Sequence, residues 1–531
     1  MNNKNSTINK KSALLINPPV YDFTAFDLWS KPLGLLYLSS ILKQQNVEVE
    51  MLDYMDRHFA GSVILRSNKV ATKDPGLDSS GTRFPQNDGQ RYGCGHYLKT
   101  HVPKPAALKH VPRHYSRYGI LKETAKSRLR ALKRPDLIIV TSIMTYWYPG
   151  VIEAIESVRN VFPNVPVALG GVYATLCPKH ALETAKPDFL VQGGLASLNE
   201  VFEQLAIPAS VQASFACFPA PDYTYYNRCS YVALRMSMGC PFNCSYCAQR
   251  TLCADTFTAK TPERVFEEIA AFAAKGIENI VFYDDALLYD ADKYIKPLLR
   301  KIIASGMKIN IHTPNGLHLR YLDLELASLM KKGGFASPRF SLESADARLQ
   351  NETGAKITNE GFERAVAILK QAGFKNGEFT IYLLMGMPGQ SLKDVEESIK
   401  YVHSFGGRVS LSEYSVVPGT KDFQRQLQIT NYELQIKNNK TAAGKNYERQ
   451  LAVSTNSELL RGAKQRSNLD FPNAGLPRPF SARNDGQGRD FANEPLLHNK
   501  SVFPLFETKD WQEIMRIKNL ATKLNALTAE D

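Results

Sequence analysis

The chain has 531 residues, is 44% hydrophobic and 22% charged, and carries a net charge of +13. That length predicts two or three domains with sizeable apolar cores and excludes a wholly disordered chain. Three of the eight cysteines fall within eight residues, unlike the spaced set of a secreted disulfide framework. The N-terminal stretch Met1–Ser12 is polar and basic. The apolar run that follows is cut by Pro18-Pro19 and is too short for a signal peptide. No window reaches about 18 apolar residues, so no membrane span is expected and a cytoplasmic location is. The excess charge is local: between Gly61 and Arg134 sixteen Lys/Arg stand against four Asp/Glu. A basic, solvated insertion fits that pattern better than a nucleic-acid-binding face.

In chain order, Ser12–Asn17 reads as a buried parallel strand, Pro32–Gln45 as a helix with Leu33, Leu36, Tyr37, Ile41 and Leu42 on its apolar face, and Val47–Asp53 as a second strand. About Arg57–Lys133 the rhythm breaks. Ser67–Pro105 is rich in Gly, Pro, Asn and Asp and predicts a long, partly disordered loop, with a basic helix over Tyr118–Leu132. The βα alternation resumes with strands at Asp136–Ser142, Val165–Leu169 and Phe189–Val191 and a helix at Gly150–Phe162. Gly170-Gly171 and Gly193-Gly194 lie just past two of these strands, where a ligand's close approach and a plain tight turn are equal readings.

Ala206–Asn227, with three prolines and several aromatics, predicts a linker. Beyond it comes Met236-Ser237-Met238-Gly239-Cys240-Pro241-Phe242-Asn243-Cys244-Ser245-Tyr246-Cys247, which places three cysteines in a C-x₃-C-x₂-C array after a strand-like run. Thiolates suit soft metals and iron–sulfur clusters. Three of them can hold three irons of a [4Fe–4S] cube and leave the fourth iron open. Two plainer readings stand beside this one: a structural zinc site completed by Cys253 or Cys229, and buried inert cysteines.

Six strands alternate with helices from there: Tyr231–Ser237, Ile277–Tyr283, Lys308–Thr313, Ser337–Leu342, Glu378–Met385 and Arg408–Tyr414. Gly276, Gly306, Gly333-Gly334 and Gly373 fall where the intervening helices should end. Repeated βα units predict a parallel sheet curled into a barrel, with ligands at the C-terminal strand ends. Phe423–Asn493 is again unpatterned; it holds Asn484-Asp485-Gly486-Gln487, similar to Asn87-Asp88-Gly89-Gln90 in the first insertion. Trp511–Leu524 reads as a closing amphipathic helix.

The cysteine array, with Tyr246 before its last cysteine, resembles the signature of the radical S-adenosylmethionine (radical SAM) superfamily. Residues 13–205, through Asn17-Pro18-Pro19, Pro32-Leu33-Gly34-Leu35-Leu36-Tyr37-Leu38, Asp53, Thr141-Ser142 and the two glycine pairs, look like the Rossmann-like domain of its cobalamin-binding branch. The Asp-x-His-x-x-Gly that supplies an axial histidine in other B12 folds is absent, and His58 and His180 read as surface or satisfied histidines. The resemblance implies an α/β protein: a B12-binding-type parallel-sheet domain over 12–205, a linker over 206–228, a partial (βα)₆ barrel over 229–422 and an extension over 423–531. It implies a cluster on Cys240, Cys244 and Cys247 whose open iron chelates SAM, which reduction by a flavodoxin or ferredoxin cleaves to a 5′-deoxyadenosyl radical. The resemblance places Tyr246 beside the adenine, Asp284 and Asp285 on the SAM amino group, Ser341 and Glu343 on SAM, Gly386 and Pro418 near the adenosine, and Gly170, Gly171, Gly193 and Gly194 on cobalamin. His312 and Asn315 point towards the barrel mouth without an assigned role. A cobalamin-dependent C-methyltransferase is the leading expectation, and a cobalamin-independent cyclisation or oxidation the second. A methylthiotransferase would need three further N-terminal cysteines; Cys94 and Cys177 are the two in that domain, with Cys217 in the linker. The substrate, small molecule or peptide, is not legible.

Overall fold

The computed structural model describes residues 10–59, 92–253, 257–428, 493–499 and 511–528. The two Asn-Asp-Gly-Gln strings lie outside them. The first strand, Ser12–Asn17, starts a five-stranded, all-parallel sheet. Across the sheet the order runs Phe189–Leu190, Val167–Leu169, Leu137–Val140, Ser12–Asn17, Glu48–Asp53. In chain order this is the 2-1-3-4-5 pattern of a doubly wound domain. Its strands are apolar runs because helices Leu33–Gln44 and Tyr148–Val161 cover them. The strand order reverses between Ser12–Asn17 and Leu137–Val140, which opens a crevice at their C-terminal ends.

The basic insertion is only partly as expected. Residues 60–91 lie outside the described part, but the segment after them is ordered. Lys99–His101 and Ser116–Tyr118 pair antiparallel, and Ser116–Tyr118 also pairs with Val20–Asp22 of the first loop. Helix Lys122–Ala131 leads back into the sheet. Periodicity could not find this subdomain because its anchors are isolated: Tyr97, Leu108, Val111, Tyr115 and Tyr118 are buried in small clusters against that loop. Its basic character is partly neutralised inside. Arg117 is buried and its guanidinium clasps Glu153 through Nε at 3.0 Å and Nη2 at 2.6 Å.

The linker packs tightly. Phe215, Phe218, Tyr223 and Tyr226 are buried in the core that joins the two halves. The Tyr226 hydroxyl donates to Asp53 at 2.7 Å, and Lys43 reaches Asp222 at 2.7 Å.

The barrel strands fall where the alternation places them: Val232–Leu234, Asn279–Phe282, Asn310–His312, Arg339–Glu343, Thr380–Met385 and Arg408–Glu413. One break was not foreseen. The fourth unit is two strands, Phe335–Ser337 pairing back to Asn310–His312 and Arg339–Glu343 pairing forward to Thr380–Met385. Pro338 lies between them and has no N–H to give the ladder. The helices behind the sheet are capped by side chains: Thr261, Asp323, Thr358 and Ser391 each accept a first-turn N–H. Helix Trp511–Leu527 closes over Arg408–Glu413, burying Ile514, Ile517 and Ala521.

The first loop of the doubly wound domain enters the barrel. Trp29, 2% exposed, stacks on His312 with ring centroids 4.5 Å apart. Asp27 beside it accepts from the Tyr231 hydroxyl at 2.6 Å and pairs with Arg57 at 2.7 Å. Among the described residues no helix is long and apolar enough to cross a membrane.

Candidate functional site

Cys240, Cys244 and Cys247 line one cavity of about 460 Å³ at the C-terminal ends of the barrel strands. Tyr246, Gln249, Asp285, Asn315, His318, Ser341, Glu343 and Lys356 line it too. The loop that carries the thiols is tied down by the two aspartates that follow Asn279–Phe282. Asp284 is buried and accepts from the backbone N–H groups of Met236 and Ser237 and from the Ser237 hydroxyl. Burial raises its pKa to about 6, against the pull of those hydrogen bonds. Asp285 accepts through Oδ2 from Arg235 at 3.1 Å, Gly239 N–H at 3.0 Å and Gln249 at 2.7 Å. Its Oδ1 has no donor among the described residues. The pair therefore divides: Asp285 faces the cavity, whereas Asp284 holds the strand leading to the thiols and does not line it. Alternation on a strand end sends adjacent side chains to opposite sides.

Glu343 takes a left-handed backbone, φ +70°, at a register shift in its strand pairing. A non-glycine residue held there at a strand end is a feature of functional sites. The twist brings its carboxylate under the Tyr246 hydroxyl, which donates to it at 3.0 Å, and within 3.5 Å of Lys356 Nζ. Ser341, two residues earlier, lines the same cavity. Asn315 does as well, its amide donating to the carbonyls of Tyr283 and Asp284. His312 lies deeper, against Trp29, bonded to Asn279 and Ser337.

Gly386 and Pro418 do not line this cavity. Gly386, φ +99°, makes a turn whose N–H is taken by Gln390 at 2.8 Å. Pro418 belongs to a turn that packs on helix Gln249–Cys253, where Thr251 donates to the Gly419 carbonyl at 3.1 Å. The glycine pairs of the first domain also lie outside the two cavities described here. Gly171, φ +92°, is required by the chain itself, since a Cβ there would come within 2.4 Å of the Ser142 carbonyl oxygen. His180 is satisfied by the Tyr173 hydroxyl at 2.7 Å, and the His58 backbone caps Asp56.

The sequence reading missed Lys356, His318 and Gln249. They come from a turn, a short 3-10 connection and the segment after the last cysteine, and no periodicity marks them. The order of elements offered one signal for two of them: His318 comes after a barrel strand and Gln249 after the thiol loop, whereas Lys356 comes after the short helix Ala347–Glu352.

A cluster with SAM on it asks for three thiolates and for partners to an ammonium, a carboxylate and ribose hydroxyls. The cavity's residues fit. The thiols share one wall, Asp285 and Glu343 supply carboxylates, Lys356 a cation, and Asn315 and Ser341 neutral hydrogen-bonding groups. His318, 5% exposed, has its Nδ1 buried without a partner, a polar atom left for a ligand to satisfy. The zinc reading fares worse. Cys229 is spent on the Tyr231 carbonyl and Cys253 accepts from Gln249. Among the described residues no group of three or more His, Cys, Asp or Glu converges on a point for a single ion. A cube makes no such demand, since each thiolate takes a different iron.

A second cavity, of about 360 Å³, lies in the crevice of the doubly wound sheet. Asn17, Pro18 and Pro19 follow its first strand and Ser142, Ile143 and Met144 its third, so the cavity occupies the point where strand order reverses. Its other wall is the barrel: Arg339, Tyr382, Ser410, Ser412 and Glu413. Tyr382 and Ser412 line both cavities, so the two adjoin.

Residues 234–402 match the radical SAM superfamily model. The matched stretch is the barrel, and a doubly wound α/β domain stands ahead of it. The chain is 24% identical over 323 residues to an uncharacterized methyltransferase of Pyrococcus horikoshii, covering 54% of this chain and 68% of that protein. It is likewise 24% identical over 356 residues to the anaerobic magnesium-protoporphyrin IX monomethyl ester cyclase of Cereibacter sphaeroides, over 58% of this chain and 56% of that one. In fold it is similar to the radical SAM methyltransferase TsrM of Kitasatospora setae, solved with cobalamin and a [4Fe–4S] cluster bound. The TM-score is 0.55 at 16% identity, over 79% of this chain and 78% of that one.

Proposed function

We propose that this protein cleaves SAM reductively at a [4Fe–4S] cluster held by Cys240, Cys244 and Cys247, and that with cobalamin in the crevice it methylates a carbon of its substrate. The observation that carries the reading is the adjoining pair of cavities. Thiols and the carboxylates of Asp285 and Glu343 line one, the switch-point crevice forms the other, and Tyr382 and Ser412 line both. When bound, the cluster supplies the electron that splits SAM into methionine and a 5′-deoxyadenosyl radical, and cobalamin supplies a methyl group for transfer. The chain's own residues bind and orient. Asp285 Oδ1 and Glu343 are the acceptors for the SAM ammonium and hydroxyls, Lys356 lies against Glu343, and Tyr246 presents its ring beside them. Ser341 adds a hydroxyl. A flavodoxin- or ferredoxin-type protein is the electron donor of this reading.

For cobalamin, the residues at hand are Asn17-Pro18-Pro19 and Ser142–Met144. Ile143 and Met144 are 38% and 39% exposed at the crevice, an apolar rim that a large flat ligand would cover. Among the described residues no histidine lines the crevice. The name of the cyclase relative favours a second reading, radical cyclisation or oxidation without methyl transfer.

The test is anaerobic reconstitution with iron and sulfide, then SAM and dithionite. Formation of 5′-deoxyadenosine supports the reading, and its absence from protein with a full cluster overturns it. Retention of cobalamin, with label passing from methyl-labelled SAM to a product carbon, supports the methyltransferase. Turnover without label transfer supports the second reading.

A further inference from the structure

Six buried or half-buried cations of the described part have carboxylate partners: Arg57 with Asp27, Arg117 with Glu153, Arg235 with Asp285, Lys260 with Glu268, Lys296 with Asp323, Lys518 with Glu413. Arg339 differs. It opens the fourth barrel strand and lines the inter-domain cavity. Among the described residues no carboxylate lies within ion-pair distance of it. Its Nη1 donates to the Tyr382 hydroxyl at 3.1 Å, and its Nε is buried with no partner. The Trp29 ring lies 5.8 Å below the guanidinium carbon and the Tyr382 ring 5.9 Å away, so its faces are cushioned. The Tyr382 hydroxyl in turn donates to the Pro314 carbonyl at 2.7 Å and fixes the fork's orientation.

The acids that share this cavity are engaged. Glu413 is bonded to Lys518, and Asp22 accepts from Phe23 N–H, Trp147 Nε1 and Asn499 Nδ2. A cation kept in a low-dielectric wall without a counter-charge is costly to fold and attracts an anion from outside. Beside those two acids the cavity offers one such cation, hydroxyls from Ser410 and Ser412 on the same barrel wall, and apolar surface from Phe26, Leu411 and Trp147.

We infer that the substrate acted on in this cavity is an amphipathic carboxylate, its single negative head group held by the Arg339 fork and its apolar body laid along the barrel wall past Tyr382, opposite the strand ends given to cobalamin. This rests on the radical SAM reading of the site, because Tyr382 and Ser412 join the head-group end to the thiol cavity. One guanidinium matches a monoanion. A phosphate would leave charge unmatched in the same wall.

The experiment is equilibrium binding to the full-length protein and needs no turnover. Straight-chain and phenyl-terminated carboxylates are compared with their own primary amides, and with the matching alkyl phosphates, by calorimetry and by the shift in melting temperature. Wild-type protein should bind at least one acid about tenfold tighter than its amide. Arg339→Gln should abolish the preference, and Arg339→Lys should keep part of it. Because Arg339→Gln removes a half-buried charge with no acid partner among the described residues, it should melt no lower than wild type; a variant that melts lower is replaced by Arg339→Lys alone. Equal affinity for acid and amide across the series, a preference that survives in Arg339→Gln, or tighter binding of the phosphates overturns the inference. Failure of wild-type protein to form 5′-deoxyadenosine would instead overturn the reading beneath it, and the binding result would stand apart.

Discussion

The Tyr246 hydroxyl donates to Glu343 at 3.0 Å, and that bond ties the thiol loop to the end of the fourth barrel strand. Glu343 reaches it only because its backbone turns left-handed at φ +70°. Tyr246→Phe keeps the ring and removes the hydroxyl. The carboxylate then faces Lys356 alone, and SAM should bind about tenfold more weakly, the worth of one charge-assisted hydrogen bond. Iron content should not change. Equilibrium dialysis with SAM, beside an iron assay, checks both.

Five of the eight cysteines should separate cleanly. Alanine at Cys240, Cys244 or Cys247 should lower iron and sulfide after reconstitution and remove 5′-deoxyadenosine formation. Alanine at Cys229 or Cys253 should leave metal content intact, because those thiols are bonded to Tyr231 and Gln249. Retained iron in all three of the first set would contradict the assignment.

The insertion is pinned by the buried pair of Arg117 and Glu153, with Tyr21 and Lys122 on the same carboxylate. Glu153→Gln leaves Arg117 without a counter-charge in a buried place. Such a break costs about 3 kcal/mol or more. Chemical denaturation should report that loss, and limited proteolysis should cut sooner within residues 95–121.

His312 should make stability fall in mild acid. Burial, then the nearby Arg339 charge, pulls its pKa down from 6.5 to about 3. The unfolded chain therefore takes up a proton below about pH 6.5 that the folded chain refuses until near pH 3. Stability is full above that window and is lost as pH drops through it, by about 1.4 kcal/mol per pH unit. His312→Gln should flatten this slope in melts run from neutral to mildly acid pH. The neighbours facing the ring are Trp29, Tyr92, Asn279, Ser337 and Arg339, none of them a carboxylate or a second histidine.

Local pattern alone determined much here. Cys240, Cys244 and Cys247 share a short loop, so their spacing is a chemical statement before any folding. The βα alternation set the strands to within a few residues, because apolar runs and capping residues act over a turn or two. The limits of that reach are visible at Pro338, which splits a strand, and at Tyr97 and Tyr115, whose burial no period announces. Only the tertiary structure decided which of Asp284 and Asp285 faces the cavity, that Gly386 and Pro418 stand outside it, and that among the described residues Arg339 has no acid beside it. Those facts depend on partners dozens to hundreds of residues away. A charge's neighbours in space are set by how the sheet closes and how the first loop enters the barrel, and the chain order holds no trace of either.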